Sequence, residues 1–141
     1  MICRALIDSG LIDLARAHLT WLNRSVLSAE QQNRVLLLTA NAAVTNREAT
    51  VAFEALAALR ARNPAVAESV EFRLLRARTQ LAVGGAFTTF GLADLAKIVE
   101  ESGDTPDGQV AKLELLLYRL SRGDDVVAEV AEWVGENELL P

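Results

Sequence analysis

Apolar residues in this chain recur at intervals of three and four. Val35, Leu38, Ala42 and Thr45 keep that spacing, as do Val51, Ala55, Ala58 and Leu59, and further on Val70, Leu74, Ala77 and Leu81. Such spacing lays side chains along one face of a helix, whereas a half-buried strand needs strict alternation, which is absent. Ala, Leu, Arg and Glu fill the periodic stretches, all of them good helix formers. The fold class read from this pattern is all-α.

Punctuation divides the pattern. Ser28 with Gln31 forms a capping box ahead of the run 29–44. Asn46 is expected to take a left-handed turn before the next helix. Asn63-Pro64 stops that helix, because proline disfavours helical geometry in the residue before it. Gly84-Gly85, the stretch from Gly103 to Gly108, and Gly123-Asp-Asp mark three further breaks. Eight helical segments follow, at 2–8, 11–23, 29–44, 47–62, 66–83, 87–102, 109–121 and 125–134. Their short connections make sequence neighbours antiparallel, so the helices pair as hairpins.

The second helices of these pairs begin near 11, 47, 87 and 125, at intervals of 36, 40 and 38 residues. That period belongs to stacked helix pairs rather than to a closed bundle. The expected architecture is a right-handed α-α superhelix of about four antiparallel hairpins, one domain over 1–141. The segment 66–83 carries Val70, Leu74, Ala77 and Leu81 on one side and Phe72, Leu75 and Ala82 on another. A helix sandwiched inside an array needs two apolar stripes of this kind, where an outer bundle helix needs one.

These residues resemble degenerate tetratricopeptide repeats, whose unit sets a small residue in its first helix, a Gly-Asp-like turn, then alanine, large apolar residues and a closing proline. The second hairpin matches best, with Ala40, Ala52, Leu56, Leu59 and Pro64. The first shows Gly10, Ala15, Leu19 and Leu22, with Cys3 at the small position of a clipped first helix. The fourth keeps Gly123-Asp124 and Ala128. The third departs most, at an inserted stretch over 86–91. The resemblance covers nearly the whole chain, but its motif consists of packing positions. It implies a non-enzymatic scaffold that holds a protein or peptide partner on a superhelical surface. Bacterial secretion and exopolysaccharide-export assemblies are the settings it brings to mind. A secretion-type chaperone that masks an apolar helix of its partner is the alternative, and a small-ligand sensor domain a more remote one.

Residues that carry chemistry are sparse. One cysteine, Cys3, and one histidine, His18, cannot assemble a disulfide or a zinc site. No nucleophile motif accompanies His18, and the glycine pairs lack phosphate-cradle spacing and its lysine. Asp104-Thr-Pro-Asp107 lacks the alternating oxygen ligands of a calcium loop and reads as a turn. The acidic pair Asp124-Asp125 begins a helix, where the macrodipole favours negative charge. No enzyme activity, cofactor or metal is expected. No stretch is long and apolar enough for membrane insertion, and no signal-peptide pattern opens the chain.

Charge is divided unevenly. Residues 1–80 hold ten basic and seven acidic side chains, a net of +3; residues 81–141 hold four and twelve, a net of −8. Nucleic acid is a poor partner for a chain of net charge −5 with 5% aromatic residues. A local basic stripe nevertheless exists at Arg73, Arg76 and Gln80, with Arg34, Leu38 and Asn41 on the equivalent helix one unit earlier. Together these are the expected lining of a groove for an extended peptide bearing acidic groups, since Arg binds carboxylates through two parallel hydrogen bonds. Trp133, within the acidic end, is the candidate aromatic contact. Both ends of the array are apolar, at Ile2, Leu6, Ile7, Leu11 and Ile12 and at the tail Glu138-Leu-Leu-Pro141. Array ends normally carry a polar face. The expectation is a segment of a longer array, or a homo-oligomer joined through those ends.

Overall fold

A computed structural model of the chain describes residues 2–8, 10–23 and 27–137, with the backbone alone at 2, 3, 22, 23 and 137. The tail 138–141 lies outside the described residues, as do the side chains of Cys3 and Leu22. The described residues form eight α-helices, one 3-10 helix and no strand. In chain order the α-helices are α1 (Ile2–Asp8), α2 (Ile12–Asn23), α3 (Ala29–Thr45), α4 (Ala49–Arg62), α5 (Val70–Val83), α6 (Phe87–Ser102), α7 (Pro106–Ser121) and α8 (Val127–Asn137), with the 3-10 helix over Pro64–Glu68.

Caps place these boundaries. The Ser28 capping box is complete: its hydroxyl accepts the Gln31 N–H, and the Gln31 side chain accepts the Ser28 N–H. The expected helix over 66–83 is instead split. Pro64–Glu68 winds as a 3-10 helix, and Ser69 begins α5 by accepting the Phe72 N–H at 3.2 Å. Helix α7 starts earlier than expected, because Thr105 caps it and Pro106 occupies its first position. Helix α8 starts two residues late, since Asp125 accepts the Val127 N–H from outside the helix.

Three of the four hairpin turns are built alike. After α3, the Glu48 N–H returns to the Ala43 carbonyl at 2.8 Å and the Arg47 N–H to Val44 at 3.1 Å. The same pair of bonds runs from Leu11 and Gly10 to Leu6 and Ile7, and from Asp124 and Gly123 to Arg119 and Leu120. This motif needs a left-handed residue one step past the helix cap. Gly10, Arg47 and Gly123 fill it, at φ of 75, 61 and 86°. Asn46 is therefore not the left-handed residue; it is the cap itself, at φ −88°, and its N–H closes the last turn of α3. The α5–α6 turn differs, with Gly84 and Gly85 both at positive φ.

The buried side chains form a row of clusters. Ile7, Ala15, Leu19, Val35, Leu38 and Ala42 join α1, α2 and α3. Ala40, Ala55, Leu56, Leu59, Ala67, Phe72 and Leu75 join α3, α4 and α5. Leu74, Ala77, Leu95, Ile98 and Ala111 join α5, α6 and α7. Helix α5 shows the two apolar faces read from its sequence, Phe72 and Leu75 in one cluster and Leu74 and Ala77 in the next. Ala82 is exposed instead. Between α-helices, close backbone approach is confined to chain neighbours and to the alternating series α1–α3, α3–α5 and α5–α7.

Gly108 sits inside α7, where a Cβ would run into the Ser102 carbonyl oxygen at the end of α6. Gly108→Ala is expected to destabilise the chain by about 3 kcal/mol, because backbone rather than a pliable side chain blocks the added carbon. Arg47→Gly is expected to stabilise it by about 1 kcal/mol, since glycine adopts positive φ without the Cβ clash. Urea unfolding at neutral pH measures both.

Candidate functional site

Helix α5 has four sides in use. Two are apolar and belong to neighbouring core clusters, and one turns to α6. The fourth carries Glu71 and Arg78, seven residues apart, with Leu74 and Leu75 of the two apolar faces at its margins. This stripe forms the floor of an open depression of about 160 Å³. Arg4 and Asp8 of α1, Asn41 of α3, and Asp107 and Val110 of α7 complete the lining. Every first helix of the four hairpins therefore contributes to one surface.

Ion pairs run across that surface. Arg4 Nη1 reaches Glu71 Oε1 at 3.5 Å, linking α1 to α5 past α3, and its Nε lies 3.6 Å from Asp8. Arg78 Nε meets Glu114 Oε1 at 3.1 Å, linking α5 to α7. The Arg4 contacts are long and exposed, so solvent screens them and little holds that side chain in place. Asn41 stands between the two linked ends. Arg34 precedes it by seven residues, two helical turns, on the same face of α3 and about 10 Å away. Arg34 is exposed and makes no ion pair among the described residues.

The other residues expected to line a groove are placed elsewhere. Leu38 is buried in the first core cluster, 2% exposed. Arg73, Arg76 and Gln80 do share one stripe, but it faces α6. Arg73 donates to Glu101 at 2.7 Å, and Arg76 grips both oxygens of Asp94 at 2.9 and 3.1 Å. Gln80 lies against Gly91, where α6 crosses α5 closely. The reason is rotational: Arg73 is two residues past Glu71, about 200° around the helix. A stripe begun at 73 thus points away from one begun at 71. Trp133 is half-buried, and its indole N–H donates to the Gln109 carbonyl at 3.2 Å, tying α8 to α7.

The Arg73–Glu101 pair has an electrostatic signature. The hydrogen bond from Arg73 holds the Glu101 carboxyl below its ordinary range; the charges of Arg73 and Lys97 add to this and desolvation opposes it. Arg119 is raised, chiefly by its hydrogen bond to Glu129 and further by Asp124. These pairs stitch helices within the third and fourth hairpins. A larger hollow of about 460 Å³ opens beside the α6–α7 turn, lined by Val99, Gly103, Asp104, Pro106, Gln109, Lys112 and Glu136, with Lys112 and Glu136 bridged across it at 3.0 Å. His18 stacks on Trp21 at 5.8 Å between ring centres.

Among the described residues there is no group of three or more His, Cys, Asp or Glu side chains that could hold a metal ion. No described helix is long and apolar enough to cross a membrane. No family model, curated protein or solved structure matches the chain.

A folded-state pKa below the unfolded one makes Glu101 stabilising above the ordinary glutamate range, with that contribution lost as pH falls through the lowered value. Glu101→Gln removes this term. Wild type is expected to exceed the variant in urea midpoint at neutral pH, with the gap closing as pH falls below the ordinary glutamate range.

Proposed function

We propose that this chain is a tetratricopeptide-like scaffold, a right-handed superhelix of four helix hairpins, that holds an extended peptide segment of a partner protein along its first helices. The observation that carries the reading is the single depression to which α1, α3, α5 and α7 all contribute. Neighbour-only packing and a turn repeated in three hairpins support the repeat architecture. In such arrays each unit contacts its neighbours, and the concave face so formed is an extended binding surface.

The lining selects the peptide's chemistry. Val110 offers apolar contact, and Asn41 offers both a donor and an acceptor to a peptide backbone. Arg34 supplies an uncompensated positive charge at one end. Arg4 can exchange its long, exposed contacts for a better-placed carboxylate. A segment with an acidic group near Arg34 and a small apolar side chain over Val110 fits this arrangement. Binding, rather than bond-making, is the work proposed.

Site-directed photocrosslinking tests the groove. A photoreactive residue at Asn41 is expected to capture a defined partner in the native host, while one at Ala57, exposed on α4, is not. Arg34→Glu combined with Arg4→Glu should weaken that capture about tenfold or more without a loss of helical signal. Equal capture from both sites, or capture indifferent to the charge reversals, removes the groove reading.

A further inference from the structure

Two apolar surfaces lie at opposite ends of the row of hairpins, and both are open. On α2, Ala15 and Leu19 point into the core. Arg16 and Thr20, one residue later, turn toward α3 and α4, where Arg16 pairs with Glu48 at 2.7 Å. Leu11, Leu14 and His18 lie on the other flank of that buried stripe, because a residue before and a residue after are each rotated about 100° in opposite senses. Leu11 and Leu14 are 49% and 58% exposed.

At the far end, α7 is used on three sides. Ala111 and Leu115 face the third core cluster, Glu114 reaches Arg78, and Lys112 and Arg119 reach Glu136 and Glu129 of α8. Leu113, Leu117 and Leu120, at i, i+4 and i+7, occupy the remaining side, and the last two are 50% and 52% exposed. Val127 and Val134 of α8 are exposed as well, on the side turned away from its ion pairs with α7. In α3 and α5 the equivalent second apolar face is covered by the next hairpin. On α7 no described helix covers it.

We propose that a second copy of this chain covers it: the Leu113–Leu117–Leu120 face docks against the α1–α2 end of another protomer, continuing the stacking that runs from α1 to α7. Charge disfavours a symmetric contact between two α7–α8 ends. Residues 106–137 hold seven acidic and three basic side chains, so two such ends repel, whereas the α1–α2 end balances Arg4 and Arg16 against Asp8 and Asp13 and accepts an acidic partner without that cost. A head-to-tail contact is heterologous; it leaves one open face at each end and grows into a filament or closes into a ring. The inference rests on the end faces and the packing order. It is independent of what the groove binds.

Sedimentation equilibrium of the purified chain is the first measurement. Between about 1 µM and 1 mM the weight-average mass is expected to rise well beyond twice the 15.3 kDa protomer. Leu11→Asp/Leu14→Asp blocks one face and Leu117→Asp/Leu120→Asp the other, and each variant alone should be monomeric with an unchanged helical spectrum. Mixing the two should yield a one-to-one dimer that grows no further, since each supplies the one face the other retains. Leu117→Gln/Leu120→Gln carries the same test should aspartate disturb the helix. A monomeric wild type throughout, a wild type that stops at dimer, or a mixture of folded variants that stays monomeric would each overturn the proposal.

Discussion

The first helix of each interior hairpin must bury two apolar faces at once, and the rest of the structure follows from that demand. Helix α5 gives Phe72 and Leu75 to one cluster and Leu74 and Ala77 to the next; α3 divides Val35, Leu38 and Ala42 from Ala40 in the same way. A helix with one stripe can end a core. A helix with two shares its burial between two clusters, as α3 and α5 do, which is the packing that the proposed superhelix requires. Small residues make this workable: Ala15, Ala40, Ala52, Ala77 and Ala111 are fully buried and let neighbouring helices approach.

A helix with two faces buried still has a circumference to account for, and polar chemistry fills it. On α5 the remaining arc is split. One part turns to α6 and holds the Arg73–Glu101 and Arg76–Asp94 pairs; the other opens to solvent and holds Glu71 and Arg78. The first set is well formed, at 2.7 to 3.1 Å, and tethers a hairpin that lacks the turn motif of its three counterparts. The second set is looser at the Arg4 end, which keeps that surface exchangeable. Arginine thus serves as both clamp and contact within one helix, and neighbouring geometry alone separates the roles.

The same logic bears on the ends. In the proposed array each unit needs a neighbour, and the exposed Leu117 and Leu120, which no described helix covers, repeat the pattern that is buried on α3 and α5. Self-stacking and a longer array are two ways of meeting that requirement, and the acidic excess of α7 and α8 opposes pairing of two like ends.

Much of this was legible in the sequence. Spacing of three and four, with breaks at Asn63-Pro64, Gly84-Gly85 and Gly123, determined the number, kind and order of the helices; the Ser28–Gln31 box and the two faces of α5 were readable because caps and periodicity act over a single turn. Ser69 and Thr105 carry cap signals too, each a hydroxyl residue just ahead of a helix, but a hydroxyl without a partner three residues on is a weaker mark than a complete capping box. What the sequence alone left undecided was direction around each helix. The stripes at Arg73–Arg76–Gln80 and at Glu71–Leu74–Arg78 are equally regular, and only the crossing of α6 over α5 at Gly91 decided which became internal clamps and which faced the groove. Leu38 entered the core for a similar reason. Local chemistry sets where a helix starts and stops, but which side meets a neighbour is a property of the packed whole.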